Sequence, residues 1–226
     1  MTKKSIVFLT GAGMSAESGI STFRDSNGLW ENHAIEDVAT YEAFERNIEL
    51  VLEFYNARRK QLFEVEPNEG HNLIAGLEDD YKVSIITQNV DDLHERAGSK
   101  SILHLHGELR KVRSTADERL IYYWDKDVIV GDKCKKGSQL RPHIVWFGEA
   151  VPAMEAAIDI VNSADVVVVI GTSLQVYPAA SLMDYAKPSA KIFYIDPKPN
   201  ISSSERLTVL PLTASEGMKL LIEKHL

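Results

Sequence analysis

Ile6-Val7-Phe8-Leu9-Thr10 runs straight into Gly11-Ala12-Gly13-Met14-Ser15-Ala16-Glu17-Ser18-Gly19. A short run of branched and aromatic residues that stops at a glycine reads as a buried strand entering a tight turn. Such a turn lets backbone amides approach a pyrophosphate, and a helix N-terminus behind it adds favourable dipole charge. The pattern is the looser GxGxxA form, with Ala16 at the third small position. A ribose-binding acid ending a second strand about twenty residues on is not evident. On the turn alone, a plain strand-to-helix connection fits as well as a dinucleotide loop.

Further runs of the same kind are Val83 to Thr87, Ile102 to Leu105, Val166 to Ile170 and Ile192 to Ile195. Uninterrupted apolar runs such as Val166-Val167-Val168-Val169-Ile170 suit strands covered on both faces, and so predict an α/β fold with a parallel sheet. Between the first two strands, Tyr41 to Phe63 has helical period, and Asn68 is placed to cap a short helix carrying Leu73, Ile74 and Leu77. That is too much chain for a simple crossover, so it reads as part of an inserted module. Glu108 to Pro142 is a second irregular stretch, rich in charge, with an aromatic patch at Tyr122-Tyr123-Trp124; a small subdomain and a long functional loop both fit it.

A chain of 226 residues with 44% hydrophobic residues can bury a sizeable core in one large domain or two small ones. Lysine and arginine total 25 against 33 acids, a formal charge of -8, which argues against nucleic acid as the main ligand. The one cysteine, Cys134, excludes an internal disulfide and a zinc site of four thiolates. No run reaches membrane-spanning length, and the first apolar run is too short for a signal-peptide core. A soluble, cytoplasmic, monomeric protein is expected, with no membrane partner.

Three more segments end strands in polar or small residues. Gly171-Thr172-Ser173 follows the valine run, at the strand end where open α/β sheets bind ligands; an ordinary turn fits equally. Gln88-Asn89-Val90-Asp91 offers side chains that can bond a ribose or a carboxamide, or simply cap a turn. His104-Leu105-His106-Gly107 puts two imidazoles on one face of a strand. A neutral imidazole suits general-base work near neutral pH; a metal pair, which lacks an obvious third ligand, and two structural histidines are the alternatives.

Taken together and in order, these segments resemble the sirtuins, NAD-dependent protein lysine deacylases. The resemblance is carried by Gly11-Ala12-Gly13-Met14-Ser15, Ser18-Gly19-Ile20-Ser21-Thr22-Phe23-Arg24, Thr87-Gln88-Asn89-Val90-Asp91, His104-Leu105-His106-Gly107, Arg141-Pro142-His143-Ile144-Val145-Trp146-Phe147-Gly148-Glu149 and Gly171-Thr172-Ser173-Leu174. It covers nearly the whole chain. It implies a Rossmann-like parallel sheet over residues 1–30, 82–106 and 144–226, and a smaller domain built from two insertions, 31–81 and 107–143. It implies an NAD site of Gly11, Ala12, Gly13, Phe23, Arg24, Trp30, Gln88, Asn89, Val90, Asp91, Gly171, Thr172, Ser173 and Ala214. His106 and Asn89 are the implied catalytic residues, and His104 matches a position with no catalytic role.

The chemistry implied by the resemblance consumes NAD as a substrate. The acyl oxygen of a modified lysine attacks the anomeric carbon of the nicotinamide ribose and nicotinamide leaves. His106 then takes a proton from a ribose hydroxyl, and water completes transfer to give free lysine and O-acyl-ADP-ribose. Val145, Phe147, Gly148 and Val176 match the two edges of the family's peptide cleft, where an extended acylated peptide adds as a strand. Tyr55 and Arg58, on one helix face, resemble the Tyr-x-x-Arg pair of sirtuins that remove succinyl and malonyl groups, and Thr22 also matches that class. Period alone fits a core tyrosine and a solvated Arg58-Arg59-Lys60 run. The family's four zinc cysteines are reduced here to Cys134, so no metal is expected, and packing around Tyr122, Tyr123 and Trp124 is expected to replace it. Cys134 itself reads as a relic of that site or an exposed thiol. Ser21 stands where proline is usual. Mono-ADP-ribosyl transfer and non-catalytic NAD or ADP-ribose sensing are the alternative functions.

Overall fold

The computed structural model describes residues 3–21 and 33–226. The chain runs through β1 (Ser5–Thr10), α1 (Ala12–Ser15), α2 (Ile35–Val38), α3 (Tyr41–Arg46), α4 (Ile48–Leu62) and α5 (Glu69–Gly76). It continues through β2 (Lys82–Thr87), α6 (Leu93–Arg96), β3 (Ile102–His104), β4 (Gly107–Ser114), β5 (Ile121–Tyr123) and β6 (Leu140–Ile144). It ends with α7 (Met154–Ser163), β7 (Val166–Ile170), β8 (Lys191–Ile195), β9 (Leu207–Leu210) and α8 (Ala214–Lys224).

Six strands form one parallel sheet in the order β3-β2-β1-β7-β8-β9. Every expected strand lies in it, and both of its faces are covered, which is why the runs are apolar without alternation. Ile6, Phe8, Ile85, Val168 and Ile195 face α5 and α8, while Val7, Leu9, Ile86, Val167 and Val169 face α7 and the helical turn at Ala179–Tyr185. The order reverses between β1 and β7, and the C-terminal strand ends at such a switch point are where open α/β sheets bind ligands.

A second core packs α2, α3 and α4 against a three-stranded antiparallel sheet in the order β5-β4-β6. Helix α4 holds that sheet by polar bonds. The Asn56 amide takes the Val128 N–H at 2.8 Å and donates to the Val128 carbonyl at 2.9 Å, and Arg59 Nε donates to the Leu109 carbonyl at 2.8 Å. Arg59 is buried, so the solvated reading of the basic run fails for it.

Four expectations are corrected. The helix read through 41–63 is two, because the Asn47 side chain accepts from the Leu50 N–H and starts α4 afresh. Helix α5, capped by Asn68 as expected, packs on α8 and puts Ile74 and Leu77 into the core of the parallel sheet, so the inserted unit read as 31–81 is divided. In the second insertion Tyr122 and Trp124 pack only partly, Tyr123 is 79% exposed, and Val112, Val128, Leu140 and Cys134 form the core instead. Cys134 is therefore a buried thiol, not an exposed one; its pKa is lowered, chiefly by a hydrogen bond from Ser114.

Candidate active site

The two small-residue loops meet at the C-terminal ends of β1 and β7. The Gly11 N–H donates to the Ile170 carbonyl at 3.0 Å and the Gly13 N–H to the Gly171 carbonyl at 2.8 Å. A Cβ on Gly11 would stand 2.8 Å from the Gly171 oxygen, and one on Gly13 would stand 2.6 Å from the Gly171 Cα. The glycines thus admit the neighbouring loop, a reason the sequence alone did not supply. Gly171 itself has φ +62, a left-handed conformation that favours glycine. Tyr194 donates to the Thr172 carbonyl at 2.9 Å and Asn200 Nδ2 to the Ser173 carbonyl at 2.9 Å, fixing the second loop from β8 and the turn beyond it. Asn68 Nδ2 steadies the first loop, donating to the Met14 carbonyl at 2.8 Å and to Ser18 Oγ at 3.1 Å. Ala12 is half-buried beside Gly11, and Ala214 is buried at the start of α8, near the C-terminal end of β9.

Beneath the first loop Ser15 is the hub of a buried network. Its Oγ donates to Asp91 Oδ2 at 2.9 Å and accepts from Asn89 Nδ2 at 3.0 Å. Asp91 also accepts from the Leu93 N–H at 3.2 Å. Burial raises its pKa to about 6 in spite of those two donors. Gln88 Nε2 donates to Thr172 Oγ1 at 3.2 Å, so the segment 88–91 bridges both loops. The Val90 carbonyl accepts from the Leu109 N–H at 2.8 Å and ties the segment to β4. Ser15 was quoted in the opening motif without a role; a hydroxyl in a glycine-rich turn gives no sequence signal of the carboxylate it will face.

His104 ends the neighbouring strand β3, His106 lies just beyond it, and the two hold successive carbonyls of this segment. His106 Nδ1 lies 3.1 Å from the Gln88 oxygen and His104 Nδ1 lies 3.2 Å from the Asn89 oxygen. A carbonyl only accepts, so Nδ1 of His106 carries the proton and Nε2 keeps its lone pair. Burial lowers the His106 pKa, more than the bond to Gln88 raises it, which keeps the ring neutral and ready to accept a proton near neutral pH. Glu95, His104 and Glu108 bring ligand atoms within 4.8 Å of one another, but Lys111 Nζ already stands 2.6 Å from Glu108 and supplies the positive charge there.

Phe23, Arg24 and Trp30, together with Thr22, lie outside the described residues. Arg58 is half-buried and, with Ile20, Gln61, Leu62, Val90, Asp91 and Leu109, lines a narrow cavity beside the buried network. Tyr55 does not share that place. It is wholly buried on the other core, where its hydroxyl accepts from Trp146 Nε1 at 2.9 Å. Val145 and Val176 are half-buried, Phe147 is exposed, and Gly148, at φ +88, is exposed with open space where a Cβ would stand. The N–H groups of Val145, Trp146 and Phe147 donate to the His106 carbonyl, Glu149 and the Ala39 carbonyl, so this stretch is held from within. Glu149 in turn takes both Arg141 nitrogens, at 2.7 Å and 3.0 Å, and Arg113 at 3.2 Å. Among the described residues, no helix is long and apolar enough to cross a membrane.

Residues 11–178 match the Sir2 family. An NAD-dependent protein deacylase of Helicobacter pylori is 61% identical over 195 residues, covering 86% of this chain and 85% of that protein. One of Bacteroides thetaiotaomicron is 56% identical over 223 residues, covering 96% of this chain and 95% of that protein. The crystal structure of a Sir2 homologue in complex with NAD superposes with a TM-score of 0.87 at 41% identity, covering 98% of this chain and 89% of that one. With its six-stranded parallel sheet, the two glycine loops at its switch point and these matches along most of its length, the chain belongs to the Sir2 family.

Proposed function

We propose that the protein is an NAD-dependent protein lysine deacylase that removes succinyl and malonyl groups, with acetyl groups as further substrates. The observation that carries the reading is His106: Nδ1 is held by the Gln88 carbonyl and Nε2 is left as a base, one residue from the Ser15–Asn89–Asp91 network. The donor set fits a dinucleotide. Asn89, Asp91, Gln88 and Thr172 gather polar groups at the C-terminal edge of the sheet, between the two glycine loops. NAD, when bound, supplies the ADP-ribosyl acceptor for the acyl group and nicotinamide as leaving group.

The chain's own residues do the rest. Ser15 orients the Asn89 amide, and Asn89 and Asp91 bind the carboxamide end. His106 Nε2 takes the proton of a ribose hydroxyl, and its lowered pKa keeps it unprotonated to do so. Gly148 presents backbone to an incoming acylated peptide, with Phe147 and Val145 on one side and Val176 on the other. Arg58 grips the carboxylate at the end of a succinyl or malonyl chain, since a half-buried guanidinium on the wall of a narrow cavity is a strong carboxylate partner. Tyr55, through Trp146, supports the Val145–Gly148 edge on the peptide side.

Nicotinamide release that depends on acylated peptide tests the reading. Mass spectrometry of the protein substrate then separates lost acyl mass from gained ADP-ribose. R58M is expected to collapse desuccinylation and leave deacetylation largely intact; equal loss of both would remove the carboxylate role.

A further inference from the structure

The ring of His104 is held at both nitrogens by groups that only accept. Nδ1 faces the Asn89 carbonyl at 3.2 Å and Nε2 faces Glu95 Oε1 at 2.8 Å. A neutral imidazole has one N–H and can satisfy one of them; an imidazolium has two and satisfies both. The side chain is 10% exposed, so water does not readily replace a lost partner.

We propose that His104 is a positioning residue for Asn89: as the imidazolium it ties the Asn89 carbonyl to α6 through Glu95, and on losing its proton it releases one end of that tie. The inference rests on the roles given above to Asn89 and His106. Every element around the ring bears on its charge. Helix α6 brings Glu95 and His94, β4 brings Glu108 and Lys111, and the segment 88–91 brings Asp91. Burial works against the charge, but the bond and charge of Glu95, then Glu108, outweigh it and raise the pKa of His104. His106, two residues on, is shifted the other way. A raised pKa means that the tie is intact at low pH and is lost as pH rises through that value, so it sets an alkaline limb on the reaction.

The test is kcat/KM for NAD against pH, with saturating acyl peptide, in the full chain and in E95Q and H104Q. Glu95 is exposed, and thermal melting checks that both variants fold. E95Q is expected to move the alkaline limb to lower pH, and an NMR titration of the His104 ring to move with it. H104Q, with no proton to lose, is expected to abolish this limb and to lie about tenfold below the parent at neutral pH, the loss expected for a hydrogen bond from a charged donor. A limb that stays in place in E95Q while the ring titration moves would overturn the proposal. N89A and H106A test the underlying site separately. If either keeps full activity, the site reading falls. If both are inactive while the limb ignores E95Q, the role of His104 alone falls.

Discussion

Gly13 and Gly171 meet backbone to backbone across the switch point, the Gly13 N–H on the Gly171 carbonyl at 2.8 Å and the two Cα atoms too close to admit a methyl group. Neither side is a flexible side chain that can swing away. G13A is therefore expected to destabilise the fold by about 2 kcal/mol or more, the upper range of overpacking. G98A is the control. Gly98, unlike Gly13, has a positive φ of +100, but nothing lies within 4 Å of its Cβ position, so only the backbone cost of about 1 kcal/mol applies. Urea midpoints of the two variants compare them directly.

Acid is expected to weaken the protein through its buried histidines. His71 and His94 pack ring to ring at 4.8 Å, both buried, and burial lowers the His71 pKa to about 4 and that of His94 as well. A base with a depressed pKa is neutral in both states above its unfolded value of about 6.5, and the unfolded chain takes up the proton first below it. Stability is thus flat above that value and falls as pH drops towards 4, by about 3 kcal/mol for His71 alone. Asp91, raised to about 6, opposes this because the folded state binds its proton first. H71Q keeps a side chain suited to the third helical position of the α5 capping box and removes the titration. Its urea midpoint is expected to fall less than the parent's between pH 7 and pH 4.5.

The Tyr55 hydroxyl accepts from the Trp146 indole N–H at 2.9 Å, inside a core where both rings are buried. Y55F preserves the shape and removes the oxygen. A loss of about 1–3 kcal/mol is expected, the cost of an unsatisfied buried donor. If Tyr55 supports the peptide side of the cleft through Trp146, the KM for acyl peptide rises in Y55F while that for NAD stays. Steady-state kinetics with each substrate varied in turn decides it.

Glu149 stands between two buried guanidiniums, Arg113 at 3.2 Å and Arg141 at 2.7 Å, and also takes the Trp146 N–H at 2.8 Å. Burial raises and Arg141 lowers its pKa, and the result is a depressed value. E149Q leaves both cations uncompensated, for a cost of about 3 kcal/mol by the precedent of broken buried ion pairs. Thermal unfolding is expected to show it, with a larger penalty than in E66Q, where the lost partner of Arg96 is 81% exposed.

The parallel sheet was legible because strands buried on both faces are written as unbroken apolar runs, which need no partner to be recognised. His106 and the 88–91 segment, for which the catalytic and NAD-binding roles are proposed, stand out only as an ordered set, since each alone also reads as a turn or a core residue. What stayed hidden depends on contacts between distant residues. The apolar period runs through Asn47 unbroken, so nothing marks the cap that divides α3 from α4. The small antiparallel sheet pairs a charged β4 with strands of three and five residues, and that pairing lies in register across 107–144 and not in local pattern. Strand β9 is a short partly buried edge of four residues. Arg59 sits in a basic run yet is buried, because it donates to the Leu109 and Lys126 carbonyls far along the chain as well as to Asn56 Oδ1 on its own helix.

The side chain of Asn68 faces two ways: its oxygen accepts from the His71 N–H at the start of α5, and its nitrogen donates to Met14 and Ser18 of the first glycine loop. Deamidation would exchange just one of these functions. A carboxylate still caps a helix, but it has no proton to offer the Met14 carbonyl. A sample aged in this way would keep the start of α5 while the first glycine loop lost its tether, so the two ends of one side chain would part company at one atom.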